Sequence, residues 1–385
     1  MEEFDNIRAY GPQDLPEAYE RLTADPQFRA VLAYIFPDMP FEAFTEKLKQ
    51  CKTNLDFQVA FCYPFLKGLL KKASTGCDFD ITNIDNKRRY TFVSNHRDIV
   101  LDSALLDVML IEADFKTTCE IAIGDNLLAA PWIKDLVRVN KSFIVLRSAG
   151  IREMLTNSKR MSEYMHHVIS DKHDNIWIAQ REGRAKDSDD RTQESILKMM
   201  AMGGSGDTIQ RLKQLHIVPL AISYEYDPCD YLKAAEYQLK RDIEGWKKTK
   251  QDDVTSMQTG IMGYKGAIHY HCAPCIDSYL DSLPNDMAKG DLFKAVAEHI
   301  DKGIHANYRL FANNLVALDM LEGTDSGQYT ADDKARFEKY LAGQTVKAEA
   351  ALKQANVAAD KAFLRERMLT MYANPVRNNR KALNS

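Results

Sequence analysis

The sequence predicts an α/β fold: a largely parallel central sheet flanked by helices, with an N-terminal helical segment before it and a helical C-terminal tail after it. Three observations predict it. Short apolar runs at 90–95, 118–123, 142–147, 175–180, 216–223 and 266–271 have the length and composition of buried strands. Helix-like segments separate most of these runs, the alternation from which parallel sheets are built. The chain before about 85 and after about 330 lacks such runs. The predicted division is 1–85, an N-terminal helical region; 86–322, the α/β domain; and 323–385, a helical tail with a disordered end.

The N-terminal region opens a helix at Leu15-Pro16-Glu17-Ala18-Tyr19, with proline in the first turn. Pro26 and Pro37 frame a second helix, and Phe41 to Leu48 carries the apolar spacing of a third. Beyond the strands, 288–321 reads as one long helical stretch. After Gly323-Thr324-Asp325-Ser326-Gly327 the composition shifts to Ala, Lys, Glu and Gln, which suits helix. Asn374-Pro375 to Arg380 is expected to be disordered. No internal repeat is visible.

Composition narrows the function classes. With 385 residues, 45% hydrophobic, 28% charged and net charge −4, the chain has no basic excess and gives no reason to expect nucleic-acid binding. The start, Met-Glu-Glu-Phe-Asp-Asn, lacks the apolar core of a signal peptide. The longest apolar candidate, Phe57 to Leu70, is broken by Pro64 and Lys67 and falls short of a membrane span. The seven cysteines are an odd number, scattered, and read as reduced thiols, so a cytoplasmic location is expected. His269, His271, Cys272 and Cys275 are the only metal-like cluster. They lack a second ligand pair at suitable spacing, so no metal is expected.

The chemistry-bearing residues sit where strands end. Tyr90-Thr91-Phe92-Val93 reads as a strand, and Ile99, Val100, Ala104, Leu105, Val108 and Met109 as the face of a following helix. Between them lie His96, Asp98 and Asp102. A histidine beside a carboxylate is the smallest unit that takes a proton from an alcohol near neutral pH. His96-Arg97-Asp98 also matches the H-R-D of protein kinases, but the required Asn is Ser103, and a glycine-rich loop and Asp-Phe-Gly are missing. A second run, Lys141 to Arg147, delivers a guanidinium at a strand end, suited to forking onto phosphate oxygens. A third, Ile176 to Lys186, runs into Glu182-Gly183 followed by Arg184 and Lys186. Gly183 permits a tight turn or close backbone approach. A fourth, Ile217 to Tyr226, places Pro219 near the start of a strand.

In this order the four clusters resemble the glycerolipid acyltransferase superfamily, whose members move a fatty acyl group from coenzyme A or acyl carrier protein to a lipid-precursor alcohol. Asn95-His96 with a nearby Asp echoes N-H-x-x-x-x-D, Lys141–Arg147 echoes G-x-F-F-I-x-R, Gln180–Arg184 echoes F-x-E-G-x-R-S, and Val218-Pro219-Leu220 echoes the fourth motif. Ile123-Gly124-Asp125-Asn126-Leu127 and Pro219-Leu220-Ala221-Ile222-Ser223-Tyr224-Glu225 look like signatures of the glycerol-3-phosphate branch, and Gly266–Ile276 resembles a late strand ending in G-E-P-I. The resemblance spans roughly 88–320. There are departures: His96 and Asp102 are separated by five residues instead of four, Gln180-Arg181 replaces an apolar pair in a third motif one residue short, and Lys141-Ser142 stand where glycine is usual.

The resemblance implies an O-acyltransferase of phospholipid synthesis acting on glycerol-3-phosphate or 1-acylglycerol-3-phosphate, with acyl-CoA or acyl carrier protein as co-substrate and no cofactor. His96 would be the general base, with Asp102, or else Asp98, orienting it. Arg147, Arg184 and Lys186 would hold the acceptor phosphate. Glu182 would meet the acceptor's second hydroxyl, and N–H groups near Gly183 would face the oxyanion. Contact with a membrane would be peripheral, through 57–72 or 231–250. Acylation of an amino-acid lipid hydroxyl, or a catalytically silent lipid- or carrier-binding relative, are the alternatives.

Overall fold

The computed structural model describes residues 2–147, 150–284 and 286–384. Its centre is a seven-stranded sheet of β1 (Gly76–Asp80), β2 (Thr91–Ser94), β3 (Cys119–Gly124), β4 (Ser142–Val145), β5 (Asn175–Ala179), β6 (Ile217–Tyr224) and β7 (Ala267–Cys272), in the order β1-β7-β6-β2-β5-β3-β4. The strands from β6 to β4 are parallel; β7 is antiparallel to β6, and β1 runs parallel to β7. The six expected strands are present within two or three residues of their predicted ends. β1 is an addition, an edge strand inside the region expected to be helical. Its Gly-Cys-Asp-Phe-Asp sequence has two acidic residues and a glycine, which hides its pairing with β7.

The N-terminal helices are α1 (Leu15–Ala24), α2 (Pro26–Ile35), α3 (Phe41–Gln50), α4 (Asn54–Phe57) and, after a π-helical turn at Gln58–Cys62, α5 (Tyr63–Ala73). Helices α6 (Leu101–Glu112), α7 (Pro131–Val139), α8 (Ile151–Ser170), α9 (Glu194–Met200), α10 (Thr208–Lys213), α11 (Asp230–Asp242) and α12 (Lys250–Met262) follow, interleaved with the strands. Beyond β7 come α13 (Asp277–Ser282), α14 (Lys289–Ala306), α15 (Ala312–Glu322), α16 (Ala331–Gln354) and α17 (Lys361–Leu383). The stretch expected as one helix at 288–321 is thus two, α14 and α15.

The period-two alternation of the strands divides the core between the two faces of the sheet. Val93, Ile176, Ile178, Ile217 and Ala221 pack with residues of α8, α9, α13 and α14. Phe92, Trp177, Val218, Leu220 and Ile222 face the other way, toward α5 and α6. Helices α1 to α3 and α7 share a separate apolar cluster, and α11, α15, α16 and α17 share another. The end of the tail, expected to be disordered, is the second half of α17. Pro375 lies inside that helix. A mid-helix proline costs about 3 kcal/mol, but Leu364, Met368, Tyr372, Ala373 and Val376 bury a continuous face that offsets it.

Candidate active site

The parallel strands all deliver their C-terminal ends to one edge of the sheet, where loops meet in a crevice. At its middle, β2 leaves the sheet at Ser94, and the Asn95 carboxamide takes over strand pairing. It accepts from Ile222 N at 2.8 Å and donates to Ile222 O at 2.9 Å. Ser94 Oγ is held by Trp177 Nε1 at 3.0 Å. This fixes the backbone on which His96 sits, with its ring edge-on to Trp177 at 5.7 Å between centroids.

His96 Nδ1 lies 2.8 Å from Asp102 Oδ2, on the first turn of α6. The same oxygen accepts from the N–H groups of Arg97 at 2.6 Å and Asp98 at 3.0 Å, while Oδ1 accepts from Tyr224 Oη at 3.2 Å. Asp102 is wholly buried, and each of these partners can donate to it. An acceptor opposite Nδ1 assigns the proton there and leaves Nε2 with its lone pair. The His96 side chain keeps 13% of its surface exposed, and Nε2 has no protein partner among the described residues. The extra residue between His96 and Asp102 is absorbed in the turn, where the N–H groups of Arg97 and Asp98 point back to the Asp102 carboxylate.

Asp98 is placed differently. Its Oδ1 accepts from Val100 N and Leu101 N, both at 2.8 Å, closing the turn into α6. Its Oδ2 faces α12, where a Cβ built on Gly260 would come within 2.0 Å of it. Only glycine allows that approach, so α12 sits directly on the turn. Burial, and then the Asp102 charge, push the Asp98 carboxyl above the usual carboxylate range. Among its described hydrogen bonds none reaches the imidazole, so the alternative in which Asp98 orients His96 is corrected here: its Oδ1 is taken by the turn and its Oδ2 faces Gly260 of α12.

The cations expected to act together are separated. Arg147, at the end of β4, is half-exposed and pairs with Glu182 Oε1 at 3.1 Å; its N–H donates to Asp125 Oδ2 at 3.2 Å. Both Arg147 and Glu182 are solvent-facing, and Gly183 beside them is exposed with φ of 69°. Arg184 turns inward. Its Nη1 is buried without a hydrogen-bond partner, and its charge lies near Cys229, Asp227 and Asp98. Lys186 is tied to Glu236 of α11, which also pairs with Lys240 at 3.0 Å, and burial lowers its ammonium to about 8. The expectation that Arg147, Arg184 and Lys186 form one phosphate clamp is therefore revised. Arg147 faces solvent, Arg184 lies near Asp227 and Asp98, and Lys186 pairs with Glu236 of α11.

Several site residues escaped the sequence reading. Arg97 is buried, ion-paired to Asp190 at 2.9 Å, and lies over the Tyr308 ring at 5.5 Å. Tyr308 Oη donates to the same Asp190 oxygen at 2.6 Å. Arg97 thus fastens the His96 turn to the loop after β5 and to the α14–α15 connection. Tyr224, Trp177 and Gly260 are likewise visible only once β6, β5 and α12 are placed beside β2; no local spacing announces them.

The metal-like cluster resolves into separate contacts. His269 pairs with Asp78 at 2.8 Å, His271 with Asp80 at 3.2 Å, and Cys272 is buried in the core. Among the described residues a different trio, His216, Cys275 and Asp277, brings ligand atoms within 4.8 Å of one another. Arg88 Nη2 sits 3.2 Å from His216 Nδ1, and its charge opposes a cation there. These residues fit a metal poorly.

Residues 78–223 match the family model described as Acyltransferase. That segment, from β1 to β6, carries the first four motif-like clusters and the His96–Asp102 pair. Among solved structures the chain is similar to the 1-acyl-sn-glycerophosphate (LPA) acyltransferase PlsC from Thermotoga maritima, at 12% identity and a TM-score of 0.38, covering 75% of this chain and 95% of that one. No curated protein matches. The segment that holds the site thus resembles an acyltransferase domain, carried on a mostly parallel α/β sheet.

Proposed function

We propose that this protein is an O-acyltransferase of phospholipid biosynthesis, transferring a fatty acyl group from acyl-CoA or acyl carrier protein to a glycerol-phosphate hydroxyl, that of glycerol-3-phosphate or 1-acylglycerol-3-phosphate. The observation that carries it is the His96 Nδ1–Asp102 contact at 2.8 Å with Nε2 open to the crevice. Such a base deprotonates a substrate alcohol and needs no enzyme nucleophile.

The reaction follows from these groups. His96 Nε2 takes the proton of the acceptor hydroxyl as its oxygen bonds to the thioester carbonyl carbon. Asp102 holds the ring and stabilises the imidazolium that forms. The tetrahedral oxyanion collapses, the carbon–sulfur bond breaks, and the imidazolium returns its proton to the departing thiol. The Gly183 N–H is the group we assign to the oxyanion, the Glu182 N–H being given to Gln193 Oε1 at 2.8 Å. Arg147, free to exchange Glu182 for a phosphate, is the cation we assign to the acceptor. Glu182, so released, could meet the acceptor's second hydroxyl. Arg184 and Lys186 support the loop from beneath.

No helix among the described residues is long and apolar enough to cross a membrane. On the reading of its seven cysteines as reduced thiols, we place its work in the cytoplasm, meeting lipid at the membrane surface. The test is thiol release from acyl-CoA or acyl carrier protein, with each acceptor added in turn. Acceptor-dependent release identifies the substrate. Lipid or carrier binding with no release under any acceptor would favour the silent-relative reading.

A further inference from the structure

The parallel edge that holds His96 also holds an exposed apolar helix face. Helix α8 starts four residues after Arg147. In its first two turns Ile151 is 76% exposed, Met154 50% and Leu155 53%. Positions i, i+3 and i+4 share one side of a helix, so these three form a single stripe. They are three of the nine exposed large hydrophobic residues among the described ones, and no other three fall within five positions.

The charge around the stripe is unlike that of the whole chain. Residues 147–160 carry Arg147, Arg152, Lys159 and Arg160 against Glu153; Arg147 pairs with Glu182 and Lys159 with Glu163, which leaves Arg152 and Arg160 as the cations beside the stripe in a chain whose net charge is −4. The neighbouring loop after β3, which leaves the same sheet edge, reads Leu127-Leu128-Ala129-Ala130-Pro131-Trp132; Ala129 and Pro131 are exposed and the others part-exposed. An apolar stripe bordered by cations is the pattern of a helix lying in a bilayer interface. Net positive charge beside it is complementary to an anionic lipid surface.

We propose that the start of α8 is the membrane-docking face of this protein, seated on an anionic lipid bilayer so that the crevice at His96 opens toward the lipid. This rests on the proposed function, because the docked surface is the source of a lipid acceptor or the sink for its product. It differs from the expectation that 57–72 or 231–250 make the contact. Leu66 and Leu69 of α5 are buried in the core beneath the sheet, and α11 is clasped by α16 and α17.

The test is flotation of the full chain with vesicles of phosphatidylcholine alone or mixed with phosphatidylglycerol. The native protein should float with the anionic vesicles and release as salt rises. Ile151→Asp with Leu155→Asp should weaken that binding at least tenfold. Ile151→Trp should keep or strengthen it. Arg152→Glu should weaken it at low salt. Thermal melting of each variant should match the native protein, since these side chains are exposed. Acyl transfer to a water-soluble acceptor should persist in the double variant. No binding by the native protein, or equal binding by the Asp variant, overturns the proposal. So does loss in that variant of self-association or of carrier-protein binding, with vesicles never bound. If no acceptor supports thiol release yet Asp-sensitive vesicle binding is seen, the catalytic reading fails and the docking face stands.

Discussion

Asp98 and Asp102 stand four positions apart, on one turn, and accept from different partners. Asp102 accepts from the imidazole; Asp98 accepts from the N–H groups that start α6. Asp102→Asn should therefore lower kcat by about 10²–10⁴-fold, the scale of a general base losing its orienting partner. Asp98→Asn should cost far less activity, since an amide oxygen still accepts from Val100 N and Leu101 N. Side-by-side kcat measurements check this, and the reverse ranking would return the orienting role to Asp98. The two arginines separate in the same way. Arg147→Ala should raise KM for a phosphorylated acceptor by roughly 10- to 100-fold, the loss of a charge-assisted bond of about 1.5–3 kcal/mol. Arg184→Ala should show mainly as lost stability, because Asp98 and Asp227 lose a nearby positive charge. Denaturant titration beside KM measurements distinguishes them. Sequence exposed the residues at strand ends because apolar runs and polar ends are local patterns. It could not show which guanidinium faces outward, since that depends on α11 and α12 closing over one side of the crevice.

At the scale of elements, α6 is joined to β3 by a buried carboxyl. Asp107 accepts from Cys119 N at 2.8 Å and from Gln58 Nε2 at 3.2 Å, and burial pushes it up to about 7. The folded chain therefore keeps a proton there that the unfolded chain, with an ordinary carboxyl near 4, has already released. Across that window the folded state binds more protons, so this group makes stability fall as pH rises from about 4 to about 7. Asp107→Asn should remove that slope. The native-minus-variant difference in unfolding free energy should change by on the order of 1–4 kcal/mol across the window. Urea unfolding of both proteins at several pH values checks it, and parallel curves would refute it. The strands were legible here because five of them are parallel and buried on both faces, which makes continuous apolar runs. β1 was not, because an edge strand faces solvent and tolerates Asp78 and Asp80.

For the whole molecule, the tail is the largest departure from the sequence reading. Asn374-Pro375 followed by Val376-Arg377-Asn378-Asn379-Arg380 reads locally as a chain end without structure, yet Asn378 and Asn379 are buried and Asn379 Nδ2 donates to His305 O at 2.9 Å. A deeper tie is Asp230 at the start of α11. It accepts from Tyr340 Oη at 2.7 Å, Tyr372 Oη at 2.8 Å and Gln344 of the tail helices. Burial raises this carboxyl to about 6. These long-range partners have no local signature, which is why the tail read as an appendage. Deleting residues 331–385 should strip the cover from Ala234, Ala235, Val316 and Leu318 and give an aggregating or unfolded product. Size-exclusion and far-ultraviolet circular dichroism of the truncated chain would show this; a soluble, native-like monomer would mean the tail is dispensable. The same helices sit under Lys186 through Glu236, so the tail and the crevice are joined through α11. The central claim concerns the crevice itself: a substrate alcohol is activated at His96. Its most direct test is thiol release from acyl-CoA or acyl carrier protein by the native chain and by His96→Ala, with glycerol-3-phosphate and 1-acylglycerol-3-phosphate as acceptors. Acceptor-dependent release that falls at least about 10²–10⁴-fold in the variant, with unchanged melting temperature, is the predicted result; near-native release by His96→Ala would contradict it.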